Sequence, residues 1–180
     1  TSTDLTIAGL DIDLLNGGVV YNPNPADGLA FINNDISISE TSNHGIRIEG
    51  VGALNAVIAN NQFEQLGQPV ANQSNFPQGV LLSDGQNVVI SDNEFTAQDP
   101  SGSNSAIEGF AVYVPQGPGD VGPTSNLIIS DNTISRWESG VVISEQQNDS
   151  ISDISINGNQ VSDSTSANTA NLNTADMWLL

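Results

Sequence analysis

One short block occurs six times along this chain, and nothing else in the sequence restricts its fold as tightly. It is clearest as NLIISDNTI from Asn126, and it aligns without gaps at Asp4 (DLTIAGLDI), Gly28 (GLAFINNDI), Asn55 (NAVIANNQF), Asn87 (NVVISDNEF) and Asp153 (DISINGNQV). Three columns of this alignment are apolar throughout. They hold Leu5, Leu29, Ala56, Val88, Leu127 and Ile154; Ile7, Phe31, Ile58, Ile90, Ile129 and Ile156; and Ile12, Ile36, Phe63, Phe95, Ile134 and Val161. Between the last two columns lies a polar position with Leu10 in the first block and Asn34, Asn61, Asn93, Asn132 and Asn159 in the others. Asparagine tolerates the left-handed backbone of a tight bend, and its amide can bond to the same amide one layer away. This column therefore reads as a structural ladder and not as a ligand site.

A second motif, Gly-apolar-x-apolar, follows five of the blocks, starting at Gly18, Gly45, Gly79, Gly109 and Gly140. Its period of two marks a strand. In the sixth copy Met177-Trp178-Leu179 occupies the corresponding stretch. Successive ladder asparagines are 27, 32, 39 and 27 residues apart, one turn of a coil each. Short strands joined by bends cannot bury a face alone, so each copy must stack on the next. The expectation is an all-β parallel solenoid occupying residues 1–180 as a single domain. A sandwich or an up-and-down barrel would not place like residues at matched offsets in every copy.

These blocks resemble the repeats of right-handed parallel β-helix proteins, the pectate-lyase-like superfamily. The resemblance implies a right-handed coil of about six turns. It does not choose among functions, because polysaccharide lyases, epimerases and hydrolases, viral tailspikes and adhesins share that scaffold.

Departures from the repeat are where function is expected. Residues 64–78 and 97–108 lengthen the third and fourth copies before the second strand, and residues 115–125 lengthen the fourth after it. Adjacent layers would set the first two insertions side by side, as walls of a groove for a sugar chain with Phe76 and Tyr113 as stacking platforms. The middle residues of the second strands read as an outward column of Val20, Arg47, Leu81, Ala111, Val142 and Trp178. Five apolar residues in such a column call for cover, by loops or by a neighbouring chain.

Catalytic groups are scarce. His44, Arg47 and Glu49 lie close together, with Arg47 and Glu49 on one strand face, and are the candidates for a base and a cation in a lyase or epimerase. The phrase Gly45-Ile46-Arg47-Ile48 resembles the basic motif of polygalacturonases, whose aspartate pair and Gly-His-Gly motif have no counterpart here. Asp92 and Asp131 share a column in neighbouring copies, about 5 Å apart by strand spacing. Their repulsion in water is only ~1 kcal/mol, so the pair is either simply tolerated or bridged by calcium, a cation suited to hard oxygen ligands. Asp11 and Asp13 alternate onto one face and are a weaker pair.

Charge limits the partners. With 21 acidic residues against two arginines and no lysine, the net charge is −19. Such a chain lacks the clustered cations that nucleic acid or an anionic membrane surface requires. No apolar run is long enough to span a membrane, and the absence of cysteine removes thiolate chemistry and disulfides. The acidity fits an exported protein at the cell surface or beyond it, in salty or calcium-containing water. Both ends of the repeat array lack a cap, so the layers are expected to meet more of a larger parent chain or other copies of this one. The leading expectation is a structural or adhesive β-helix; a polysaccharide-active enzyme is the alternative.

Overall fold

The computed structural model describes residues 4–15, 18–21, 27–39, 44–48, 53–67, 77–98, 107–116, 123–145, 151–163 and 177–179. Among them every regular element is a strand. The first repeat supplies β1 (Leu5–Ala8), β2 (Asp11–Leu14) and β3 (Val19–Tyr21), and the second β4 (Leu29–Ile32), β5 (Asp35–Ser39) and β6 (His44–Ile48). The third supplies β7 (Ala53–Leu54), β8 (Val57–Ala59), β9 (Gln62–Leu66) and β10 (Gln78–Leu82), and the fourth β11 (Gly85–Ser91), β12 (Glu94–Gln98) and β13 (Ile107–Gln116). In the fifth repeat are β14 (Thr124–Ser130), β15 (Thr133–Ser135) and β16 (Trp137–Glu145), and in the sixth β17 (Ile151–Asn157), β18 (Gln160–Ser162) and β19 (Met177–Leu179).

Three parallel sheets collect these strands. The first runs β1-β4-β8-β11-β14-β17 with β7 also paired to β11, the second β2-β5-β9-β12-β15-β18, and the third β3-β6-β10-β13-β16-β19. Each repeat thus contributes to all three sheets before the next is laid on it, an arrangement that fits a parallel β-helix. The sequence columns run through its layers: Ile7 pairs with Phe31, Phe31 with Ile58, Ile58 with Ile90, Ile90 with Ile129 and Ile129 with Ile156. In the second sheet Phe63 and Phe95 stack at 4.6 Å, 8° from coplanar. These columns and the inward residues of the third sheet, among them Ile46, Val80, Val112 and Val141, form one continuous core. At ~1.5–3 kcal/mol for each buried aliphatic or aromatic side chain, that core is what holds the layers together.

The ladder forms as the alignment implies. Asn61 donates its backbone N–H (2.9 Å) and its side-chain amide (3.0 Å) to Asn93 Oδ1, and Asn93 does the same to Asn132 Oδ1. The second amide hydrogen of each asparagine points one layer back, from Asn61 to the Phe31 carbonyl and from Asn93 to that of Ile58. A buried amide is thereby satisfied on both nitrogen hydrogens and twice on its oxygen. The left-handed backbone, however, belongs to the residue before each ladder position: Gly9, Asn33, Asn60, Asp92, Asp131 and Gly158 have φ from 55 to 66°. The bend is made by one residue and pinned by the next.

The outward column of the third sheet differs from the sequence reading. Tyr113, not Ala111, pairs with Leu81 and Val142, because β13 is shifted by two residues relative to the glycine alignment. Gly109 takes φ 140° where the register breaks between Ile107 and Phe110, and Ala111 fills the position that Gly79 holds in the layer before. Leu81 and Val142 are 7% and 5% exposed, so the chain itself covers this part of the column.

Candidate functional site

Two faces carry the residues of interest. On the third sheet, His44 opens β6 and is buried, Arg47 faces outward and is half-buried, and Arg47 Nη1 lies 3.3 Å from His44 Nε2. Arg47, Leu81 and Tyr113 occupy one row on three successive layers, so Tyr113 stands two strand spacings, about 10 Å, from the arginine backbone. The Tyr113 ring packs on Phe110 at 4.9 Å and 30°. Both rings are half-buried. Phe110 was not visible as a partner in the sequence because the register shift at Gly109 conceals it. Glu49 and Phe76 lie outside the described residues, as do residues 68–76, 99–106 and 117–122 of the three insertions.

Asp92 and Asp131 stand on consecutive layers, both exposed. The Asp92 N–H donates to the Ser130 carbonyl at 3.1 Å. At φ 56° each is the left-handed residue of a bend, which gives the column a conformational reason for aspartate, asparagine or glycine. Asp11 and Asp13 are exposed on β2, with Asp11 directly opposite Asp35 in β5. Among the described residues no group of three or more His, Asp or Glu side chains is placed to hold a metal ion.

Among the described residues the outward face of the first sheet is regular. Its middle row is Ala30, Val57, Val89 and Ile128, in register and half-buried, continuing to exposed Thr6 at one end and Ser155 at the other. A row of small residues, Ala59, Ser91 and Ser130, runs beside it. At one edge lies a second, exposed amide ladder: Asn126 Nδ2 donates to Asn87 Oδ1 (2.7 Å), Asn87 Nδ2 to Asn55 Oδ1 (3.0 Å) and Asn55 Nδ2 to Asp27 Oδ1 (2.6 Å). Asn55, Asn87 and Asn126 hold φ of 52–56°, so they also turn the chain into the sheet. At the other edge stand Asn60, Asp92 and Asp131. The face therefore offers an apolar strip between two polar rows, repeated at the ~4.8 Å spacing of strands. Asparagine at the start of the third, fourth and fifth blocks was the sequence signal for the second ladder.

Comparison with protein families, with curated proteins and with solved structures gave no match in any of the three.

Proposed function

We propose that the chain is an extracellular adhesive or structural right-handed β-helix of six coils, of the pectate-lyase-like kind, whose first sheet binds a neutral polysaccharide laid across its layers. The carrying observation is the outward face of the first sheet, in which the Ala30-Val57-Val89-Ile128 row lies between the Asn55-Asn87-Asn126 amide ladder and a polar edge of Asn60, Asp92 and Asp131. Pyranose rings present apolar C–H faces and hydroxyl edges, which such a strip and such amides complement. Their repetition layer by layer gives weak contacts an additive strength. The net charge of −19 disfavours uronate polymers and leaves neutral glycans as the fitting class.

Val89→Asp with Ile128→Asp tests this reading. Both side chains face outward, so the melting temperature should hold while retention on insoluble neutral glycans falls at least tenfold. Unchanged retention, or no retention of the parent chain on any neutral glycan, would remove the proposal.

A second reading rests on the contact between His44 and Arg47. A base beside a cation is the minimum for proton abstraction next to a uronate carboxylate, in a groove near the loops of the third and fourth coils. Product formation from uronate polymers or neutral glycans, with and without calcium, that disappears in Arg47→Gln would favour this enzyme over the adhesive module.

A further inference from the structure

The outward face of the first sheet carries a three-residue unit once per layer. It reads Asn55-Val57-Ala59, Asn87-Val89-Ser91 and Asn126-Ile128-Ser130 on three consecutive interior layers, and strand register and amide bonds set each member beside its counterpart. Ala30 extends the apolar middle row to a fourth layer. No member of the unit is ionisable in a chain of net charge −19, whereas the outward face of the second sheet sets Asp11 opposite Asp35 and Gln62 opposite Glu94. The unit is thus matched to an uncharged ligand that repeats at the layer spacing.

Distances along and across the strands narrow the class. Layers repeat at ~4.8 Å and an extended β-1,4-linked chain advances about 5.1 Å per pyranose, so one ring over each of Ala30, Val57, Val89 and Ile128 accumulates a mismatch of only about 1 Å. Chains that coil, such as β-1,3- and α-1,4-linked glucans, advance less per ring along their axis and lose this register. Across the strand, two residues span about 6.6 Å, which equals the reach of a ring hydroxyl, roughly 3.5–4 Å from the chain axis, plus a hydrogen bond of ~2.8 Å. The asparagine row on one side of the apolar row, and Ser91 and Ser130 on the other, stand two residues away along the strand.

The edge groups suit alternating hydroxyls. Asn87 gives one amide hydrogen to Asn55 Oδ1 and accepts one from Asn126 Nδ2, which leaves a donor and an acceptor on an exposed side chain. Serine hydroxyls likewise both donate and accept. A β-1,4-linked chain turns each ring over relative to the last, so its two hydroxyl edges exchange sides from layer to layer. Rows that donate and accept serve either edge.

We infer that the first sheet selects an extended, β-1,4-linked chain of uncharged, equatorially substituted pyranoses lying along the stack with one ring per layer. The inference rests on the polysaccharide reading above and adds linkage and length to it.

Titration calorimetry of the full chain with cellohexaose (β-1,4), laminarihexaose (β-1,3) and maltohexaose (α-1,4) tests it. Cellohexaose should bind at least tenfold more tightly than either of the others. Affinity for cello-oligosaccharides should climb from two rings to four, one for each layer of the apolar row, and gain little beyond. Asn87→Gly, which keeps the left-handed bend, should weaken cellohexaose binding at least threefold while the chain keeps a cooperative melting transition. Laminarihexaose or maltohexaose bound as tightly as cellohexaose would overturn the inference and leave the neutral-glycan reading standing. Affinity that ignores chain length, or that Asn87→Gly leaves untouched, would overturn it as well. If none of the three binds, the inference is lost alone when the chain is still retained on an insoluble neutral glycan, and together with the polysaccharide reading when it is not.

Discussion

Asn132 Oδ1 accepts two hydrogen bonds from Asn93, one from the backbone N–H and one from the side-chain amide, each 3.0 Å long. Both groups are buried between layers 39 residues apart in sequence, so the pair fastens a long connection at a single point.

Removing one rung exposes its worth. Asn93→Leu leaves the Asn61 N–H and amide without their acceptor and inserts a branched side chain at a bend. Two unsatisfied buried donors cost about 2–6 kcal/mol. Urea unfolding should show this as a lower midpoint, and an exposed-ladder change that keeps the left-handed bend, Asn87→Gly, should cost less, because its two hydrogen bonds, to Asn55 and from Asn126, are exchanged for bonds to water.

Close packing predicts a second sensitive site. A methyl group at Gly79 would lie 2.7 Å from the Ala111 carbonyl oxygen and 2.7 Å from a Phe95 ring carbon. The Phe63-Phe95 stack fills the interior against this strand, so the ring has little room to retreat. Gly79→Ala should therefore destabilise by about 1–3 kcal/mol through overpacking. Phe95→Leu should relieve part of that, so the double variant should be more stable than the sum of the single effects. Additive losses would mean the carbonyl contact alone decides the outcome.

The bend column gives a prediction about aspartate. Asp92 and Asp131 sit at φ 56°, a conformation that asparagine also adopts at Asn33 and Asn60 in the same column. Asp92→Asn should leave the melting temperature unchanged or raise it slightly, because one repulsive charge is removed. Asp92→Val should lower stability by about 1–2 kcal/mol, the cost of left-handed backbone for a branched residue. Calcium should raise the melting temperature of the parent and of Asp92→Asn equally, by screening the charge of −19. A rise confined to the parent would instead locate a shared ion at Asp92 and Asp131.

The layers were legible in the sequence because the first two sheets keep a gapless block, and Ile90, Ile129 and Ile156 fall opposite one another as aligned. The third sheet was less so. Gly109-Phe110-Ala111-Val112 copies the pattern of Gly79-Val80-Leu81-Leu82, yet Val80 pairs with Val112. After a one-residue bulge between Ile107 and Phe110, β13 pairs two residues beyond the glycine alignment, and an even offset preserves the inward and outward alternation and so leaves no trace in the pattern. The first-sheet face was hidden for another reason. Val57, Val89 and Ile128 sit inside apolar runs, where a residue facing outward and one facing the core have the same composition.

That last ambiguity yields the sharpest test of the fold, at two neighbouring isoleucines. Ile129 is fully buried in the core column between Ile90 and Ile156, whereas Ile128 faces outward between Val89 and Ser155. Ile129→Asp forfeits ~1.5–3 kcal/mol of burial and places a carboxylate where none of the core side chains in that column can pair with it. Against a total stability of about 5–15 kcal/mol, this should unfold the chain or leave it marginal. Ile128→Asp places the same carboxylate in water beside Ser155 and should shift stability by no more than about 1 kcal/mol. Far-ultraviolet circular dichroism with thermal melting distinguishes them: a strand spectrum with near-parental melting for Ile128→Asp, and a collapsed transition for Ile129→Asp. Equal sensitivity at both positions would mean that the first sheet is covered on both faces, and the outward surface assigned to it would be lost.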